Sequence, residues 1–394
     1  MESERVDELL QRRTHPLKIF DAAKSQRRFL FACAPMVRYS KLAFRQTVHH
    51  YGTDLCWTPM ILAKEFNRNQ VARDSDLTMS SNGPEVPTIA QFGSNSPIEL
   101  SRASSLVAPY VNGFDLNCGC PQSWACAETL GAALMHKREL VRDMVVATRQ
   151  RLADDGWGVG KEADISHPEG KGRSVSVKIR VHKDLRETMD FITTVLGDEH
   201  NRNIDWLTIH PRTRSTPSST PINLEALELL TSTFGDKLPI LVSGDVFTLS
   251  SLPYTSHPLD RQPTFTAAAE SGPESLQVNG TSTTKTIPHL PKLAGLMSAR
   301  SLLTNPALFA GYETCPWEAV DVFMNNISRA PLPLKLGVHH LTEMCGSGFG
   351  PDRSALLTKK ERIPLAEFTN WIDVVDYMDT IKQKKQGEAI LRLV

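Results

Sequence analysis

No apolar run in the chain approaches the roughly 18 residues that span a bilayer. Nor is there an excess of either charge, since 44 Lys and Arg stand against 44 Asp and Glu. The first absence argues against a membrane protein. The second leaves no global field to attract nucleic acid, so any RNA contact has to come from a local patch. Cysteine is scarce and odd in number, seven in 394 residues, which argues against a disulfide framework. The N-terminus mixes Glu2, Glu4, Asp7 and Glu8 with Arg12 and Arg13. It lacks the apolar centre of a signal peptide and the acid-poor character of a transit peptide, so a cytoplasmic or nuclear address is expected. A glycine-rich phosphate turn after the first apolar run is missing too, because Ala34-Pro35-Met36-Val37-Arg38 stands there. That disfavours an open, doubly wound nucleotide-binding sheet.

Present instead is a repeated unit of short, β-branched apolar runs separated by helix-like stretches. The spacing predicts strands over 29–37, 55–61, 88–94, 113–119, 174–180, 206–212, 238–246 and 295–300, with helices at 97–110, 125–152, 185–196 and 223–234. Eight alternating units predict an α/β protein of the closed parallel (β/α)8 barrel type. Active sites of such barrels lie at the C-terminal ends of the strands. Those ends carry Ala34-Pro35-Met36, Met60, Gln91, Asn117 with Cys120, Lys178 with Arg180, His210 with Arg212, Gly244-Asp245, and Ala299-Arg300. A barrel with a purely structural role has no need for so many polar and reactive groups there.

The rhythm is interrupted at 156–173, rich in glycine and charge, and at 248–288, where 19 of 41 residues are Ser, Thr or Pro. That second composition cannot bury enough apolar area to order itself, so a mobile insertion with a missing or displaced seventh helix is expected. Beyond Arg300 the pattern is helical, at 317–327, 334–345 and 365–384. The expected organisation is an N-terminal extension to residue 28, a barrel over 29–312 and a small helical domain over 313–394. Lys359, Lys360 and Arg362 form one basic knot in the tail, and Lys382, Lys384 and Lys385 another.

The segment Asp115-Leu116-Asn117-Cys118-Gly119-Cys120-Pro121 resembles the D-x-N-x-G-C-P signature of the tRNA-dihydrouridine synthases. Ala34-Pro35-Met36, Gln91-Phe92-Gly93, Val177-Lys178-Ile179-Arg180, Ile209-His210 with Arg212-Thr213, and Ala299-Arg300 with Asn305-Pro306 follow the family's order. Gln122 and Trp124-Ala125, with Phe309-Ala310-Gly311-Tyr312-Glu313, resemble the eukaryotic branch acting on D-loop uridines 20a and 20b. The chain departs from the family at Ser243, where asparagine is usual before Gly244-Asp245, and at Ser301, where glycine is usual after Ala299-Arg300. The resemblance implies FMN as cofactor, NADPH or NADH as reductant and tRNA as partner. A monomer without metal is expected.

Reduction of the uracil C5=C6 bond needs a hydride, which no side chain supplies, and a proton. The family's chemistry implies hydride from reduced FMN to C6 and a proton to C5 from an acid on the other side of the base. A thiol suits that role near neutral pH, and Cys120 is the candidate. Two other readings of Cys120 stay open: a small buried hydrophobe, or a metal ligand with Cys118 and Cys126, whose spacing fits poorly. The Asn117 amide suits the O4/N3 edge of uracil. Lys178 and His210 are expected at the flavin N1/O2 edge, where negative charge develops. Gln91 is expected on the isoalloxazine ring, with Ala34-Pro35-Met36 as its floor. Ser243, Gly244, Asp245, Ala299 and Arg300 belong to the expected phosphate cup, and Arg180 and Arg212 to the mouth, against RNA phosphate or substrate. A barrel oxidoreductase for a small pyrimidine and a non-catalytic tRNA-binding relative are the competing readings.

Overall fold

The computed structural model describes residues 14–80, 86–159, 172–198, 201–255 and 288–391. Parallel strands β1 (Leu30–Cys33), β2 (Leu55–Trp57), β3 (Ile61–Leu62), β4 (Thr88–Gly93), β5 (Gly113–Cys118), β6 (Ser174–Arg180), β7 (Trp206–His210), β8 (Ile240–Ser243) and β9 (Gly295–Ser298) form one sheet. It closes because β1 pairs with both β2 and β9, and β2 in turn with β4. The expected continuous second strand is split. β2 ends at Trp57, the chain turns through Thr58-Pro59-Met60, and β3 resumes against β4. Pro59 has no N–H to give a ladder, and Thr58 Oγ1 instead accepts the Gln91 amide at 3.0 Å. The eight-stranded barrel is therefore intact, with its second strand in two pieces.

Side chains alternate between the barrel interior and the helical layer. Outward residues such as Phe92, Phe114, Val177 and Ile209 pack in the main core with the surrounding helices. Inward residues form a second cluster, including Leu30, Trp57, Ile89, Trp206 and Met297. The helix Pro16–Ser25 joins that cluster through Leu17, Phe20 and Ala23, and the Phe20 ring lies 5.7 Å from Trp206. Part of the expected extension is thus a plug for the barrel's floor. Its signal was modest: Pro16 at the first helical position and apolar residues at positions 17, 20 and 23.

The expected helix 125–152 is three pieces, Ser123–Ala127, the 3-10 turn Gly131–His136, and Arg138–Asp154. Thr129 and Gly131 adopt left-handed φ values of 55° and 58° between the first two. Among the described residues no helix stands between β8 and β9. Residues 160–171 and 256–287, the centres of the two expected insertions, lie outside the described residues. The C-terminal helices Trp317–Arg329, Leu334–Met344 and Trp371–Leu391 follow the barrel, the last beginning six residues later than expected because Pro364–Ala366 forms a 3-10 turn. Trp317–Arg329 packs on the barrel helix Leu42–His50, and Asn326 Nδ2 donates to Thr47 Oγ1 at 3.0 Å.

His340, on Leu334–Met344, is fully buried where these helices meet the barrel, against Phe44, Phe323 and Tyr39. Neither ring nitrogen reaches a hydrogen-bond partner of good geometry. Burial holds its pKa down at about 3 from an ordinary 6.5, with His339 acting the same way and the Tyr39 backbone opposing. The stability carried by the neutral ring is therefore complete above pH 6.5 and is lost as pH falls from there toward 3. His340→Phe is expected to reduce the drop in urea midpoint between about pH 7 and pH 5. An identical drop in variant and parent would assign the acid sensitivity to other groups.

Candidate active site

At the end of β5 the chain leaves the barrel as Gly119-Cys120-Pro121, and the thiol at position 120 is half-exposed. Its loop is fixed from below. Asn117 Oδ1 accepts the Gly119 and Cys120 amides at 3.0 and 2.8 Å, and Asn117 Nδ2 donates to Gln91 Oε1 at 2.8 Å. Gln91 Nε2 donates in turn to Asp115 Oδ2, and Ser176 Oγ to Asp115 Oδ1, both at 2.7 Å. The loop is also fixed from the side. The Cys120 carbonyl accepts from Ala132 N at 2.9 Å, and a Cβ on Gly131 would collide with that carbonyl. The break in the expected helix is thus what brings Gly131 against the thiol loop. Arg180 Nε donates to the Gly119 carbonyl at 2.8 Å and its Nη1 to the Thr213 carbonyl at 2.7 Å.

Next to this loop lies a cavity of about 410 Å³, lined by Lys178, Arg180, His210, Arg212, Arg300 and Asp245 among others. Four cations against one carboxylate make a local positive field that the balanced total charge conceals. Burial lowers the Lys178 pKa to about 8, with Arg180 adding to the fall and Asp115 and Cys120 opposing it. Burial, then Lys178, Arg180, Arg212 and Arg300, hold His210 down at about 2. His210 is therefore neutral at any working pH. Its Nε2 lies 2.9 Å from Arg212 Nη1, and a guanidinium only donates, so Nε2 is the acceptor and the ring proton sits on Nδ1. That N–H remains as a donor.

Gly244 has φ 117°, and a Cβ there would come within 3.0 to 3.1 Å of Arg212, Ile222 and His210. Only glycine fits this turn without strain. Asp245, also left-handed at φ 54°, is held by Arg212 and by the Ile222 amide. Ser243 and Ser301 are buried in the cavity wall, and Ser301 has no positive φ that would demand glycine. The size of the cavity, its donors and the glycine cradle fit a phosphate-bearing cofactor such as FMN.

The structure gathers the expected residues at one rim. Asn117 is the cross-strand neighbour of Lys178, and Arg180 of His210. Ala34, Pro35 and Ala299 share the cavity wall, while Met36 anchors the turn after β1 through Ser40. Several roles differ from those expected of an open rim. Arg212 is only 4% exposed, and its three nitrogens are taken by Thr220, His210 and Asp245. Its side chain is thus committed to ordering the cavity wall. Gln91 is fully buried, and both ends of its amide are engaged. Asn117 spends its oxygen on the thiol loop. Phe247 and Phe349 were missed; their rings stack at 6.0 Å, and Arg300 sits 5.3 Å over Phe349. The sequence signal for Phe349 is its flanking Gly348 and Gly350, since a Cβ at 350 would collide with Thr248. Among the described residues Cys118, Cys120 and Cys126 do not converge as metal ligands. His136, His182 and Glu187 do, but both ring nitrogens of His182 are engaged by Thr188 and Met135.

A closed parallel barrel with a cofactor-sized cationic cavity and a free thiol at one rim defines a cofactor-dependent TIM-barrel enzyme. Residues 32–256 match the family described as Dihydrouridine synthase (Dus), and the chain belongs to that family. It is 35% identical over 95% of its length to the tRNA-dihydrouridine(20a/20b) synthase [NAD(P)+] of Schizosaccharomyces pombe, 96% of which is covered. It is 34% identical over 96% of its length to the Saccharomyces cerevisiae protein of the same description, 88% of which is covered. A human relative described as tRNA-dihydrouridine(20a/20b) synthase [NAD(P)+]-like is 35% identical over 79% of this chain and 80% of its own.

Two outcomes follow from the geometry. Gly244→Ala is expected to purify folded but without flavin absorbance, since its methyl group would displace Arg212 and His210; flavin retained in full would refute the cup. Asn117→Ala is expected to keep the cofactor yet slow turnover about 100-fold, the scale of a misplaced reacting group. A normal single-turnover rate would show that the loop holds itself.

Proposed function

We propose that this protein reduces uridine to 5,6-dihydrouridine in the D-loop of tRNA, at positions 20a and 20b, with FMN bound in the barrel and NADPH or NADH as reductant. The observation that carries the reading is the union of the Cys120 loop and the cationic cavity across the β5–β6 register, Asn117 against Lys178. The descriptions of the relatives from both yeasts support the substrate and the reductant.

FMN, when bound, supplies the hydride that no side chain can. Lys178, Gly244, Arg300 and the Nδ1–H of His210 are the groups that would hold it. A neutral imidazole donor suits negative charge delocalised over a ring edge, while Lys178 adds a formal charge below about pH 8. Cys120 gives its S–H proton to C5 of the uracil. Lys178 and Arg180 are both close enough to interact electrostatically with its sulfur. The target base has to leave its stack to reach this depth. Arg180 keeps its Nη2 uncommitted and is the mouth residue best placed to meet substrate.

The body of the tRNA falls to the C-terminal helices. Lys382 pairs with Asp321 at 2.5 Å and Lys385 with Glu361 at 2.8 Å, which brings the two basic knots together. Lys359 and Lys360 stay exposed beside them. Binding through such a patch weakens steeply with salt.

Cys120→Ala is expected to retain flavin and to lose dihydrouridine formation by about 100-fold or more in single turnover, the usual scale of general acid catalysis. An unchanged rate would remove Cys120 from the mechanism. Reduced, FMN-loaded protein should be reoxidised by unmodified tRNA far faster than by free uridine. Equal rates would favour a small pyrimidine as the natural substrate.

A further inference from the structure

A second cavity, of about 270 Å³, is left unused by the proposed chemistry. Its walls are Trp124, Val37, Met60, Leu62 and Phe66. Trp124 is 47% exposed and Val37 52% exposed, so a largely apolar surface is held open to water. The holding is rigid. Trp124 rides the short turn Ser123–Ala127, which is pinned by Cys126 N to the Gln122 carbonyl at 3.0 Å and Leu130 N to the Ala125 carbonyl at 2.8 Å. Val37 sits on a turn closed by Met36 N to Ser40 Oγ at 3.0 Å and by Arg45 Nη1 to the Ser40 carbonyl at 2.7 Å. Trp124 follows Cys120 by four residues on the same connection after β5, which places this cavity's aromatic wall on the loop that carries the thiol.

Two further features identify the occupant. Glu65 and Asp76 line the same cavity, and neither side chain makes a hydrogen bond or a close ion pair among the described residues, although the charge of Lys41 acts on Asp76. Carboxylates with open acceptor oxygens take N–H groups and repel carbonyl edges, so they favour a heteroaromatic ring with an exocyclic amine and disfavour uracil. Beside the cavity Arg38 is exposed, without a partner among the described residues, and held at φ 71°. Left-handed backbone at a non-glycine residue is costly and concentrates at functional loops. An aromatic wall, an acceptor edge and a neighbouring cation together match one unpaired nucleotide: ring, amine and phosphate.

We propose that this cavity receives a second unpaired tRNA base bearing an exocyclic amine, a neighbour of the target uridine, stacked on Trp124. The proposal rests on the tRNA reading of function and deepens it, since seating one neighbour fixes which uridine is presented to Cys120. Acting through the neighbour, Trp124 is a specificity residue and takes no part in proton transfer.

The test measures tRNA affinity and turnover separately, on FMN-loaded full-length protein with unmodified tRNA. Trp124→Ala is expected to weaken tRNA binding about 10-fold, with flavin content retained and Trp124→Phe restoring most of the loss. An abasic nucleotide beside the target uridine should weaken the parent enzyme by a similar factor and leave Trp124→Ala almost unaffected. Parent-like tRNA affinity and modification pattern in Trp124→Ala would overturn the proposal. So would a defect confined to flavin reduction by NAD(P)H, which would assign the cavity to the nicotinamide nucleotide. A parent enzyme that binds tRNA through Trp124 but forms no dihydrouridine would refute the function and keep the cavity's assignment.

Discussion

The carboxamide of Asn117 fastens a loop carrying a thiol to the interior of a closed barrel. Its oxygen caps two loop amides, and its nitrogen leans on Gln91, which is held by Asp115, which is held by Ser176. Strands β4, β5 and β6 are thereby cross-linked at one level by side chains as well as by backbone. The arrangement has a cost. Burial raises the Asp115 pKa to about 6 even though Gln91, Ser176 and Lys178 all favour its charged form. A slip of one residue in β5 would turn Asp115 and Asn117 out of the interior, and closure of the sheet is what forbids that slip.

The same constraint governs the charge. Residues separated by two along β6 and β7, with their neighbours at the rim, place Lys178, Arg180, His210 and Arg212 within electrostatic reach of one another. Like charges at this density oppose folding unless something offsets them. Asp245 offsets Arg212, backbone carbonyls receive Arg180, and His210 gives up its own charge. Lys178 and Arg300 remain, directed at the cavity where an anionic cofactor would complete the balance.

Much of this was legible in the sequence because a parallel barrel writes its site with period two. Asp115 and Asn117, Lys178 and Arg180, His210 and Arg212 are alternate residues at strand ends, and the eight apolar runs before them set the fold. The roles of individual groups were less legible. Arg180 and Arg212 occupy equivalent places on adjacent strands, yet Arg212 is enclosed by Thr220 and Asp245 from connections whose path no local pattern encodes. The split helix after Cys120 read as continuous because Glu128-Thr129-Leu130 carries no strong breaker. The break comes at the left-handed Thr129 and Gly131, where the chain turns to bring Ala132 N onto the Cys120 carbonyl. The plug Pro16–Ser25 is too short for periodicity to distinguish from an ordinary terminal helix.

Phe349 connects the cofactor side of the molecule to its tail. It comes from the glycine-rich segment after the helix Leu334–Met344, yet it stacks on Phe247 and carries Arg300 over its ring. Gly350 lies against Thr248 so closely that a larger residue would force the two segments apart. The part of the chain that leads to the basic helices therefore also forms a wall of the cationic cavity. One aromatic pair, Phe247 on Phe349, thus ties the wall of the cationic cavity to the segment that leads into the last helices.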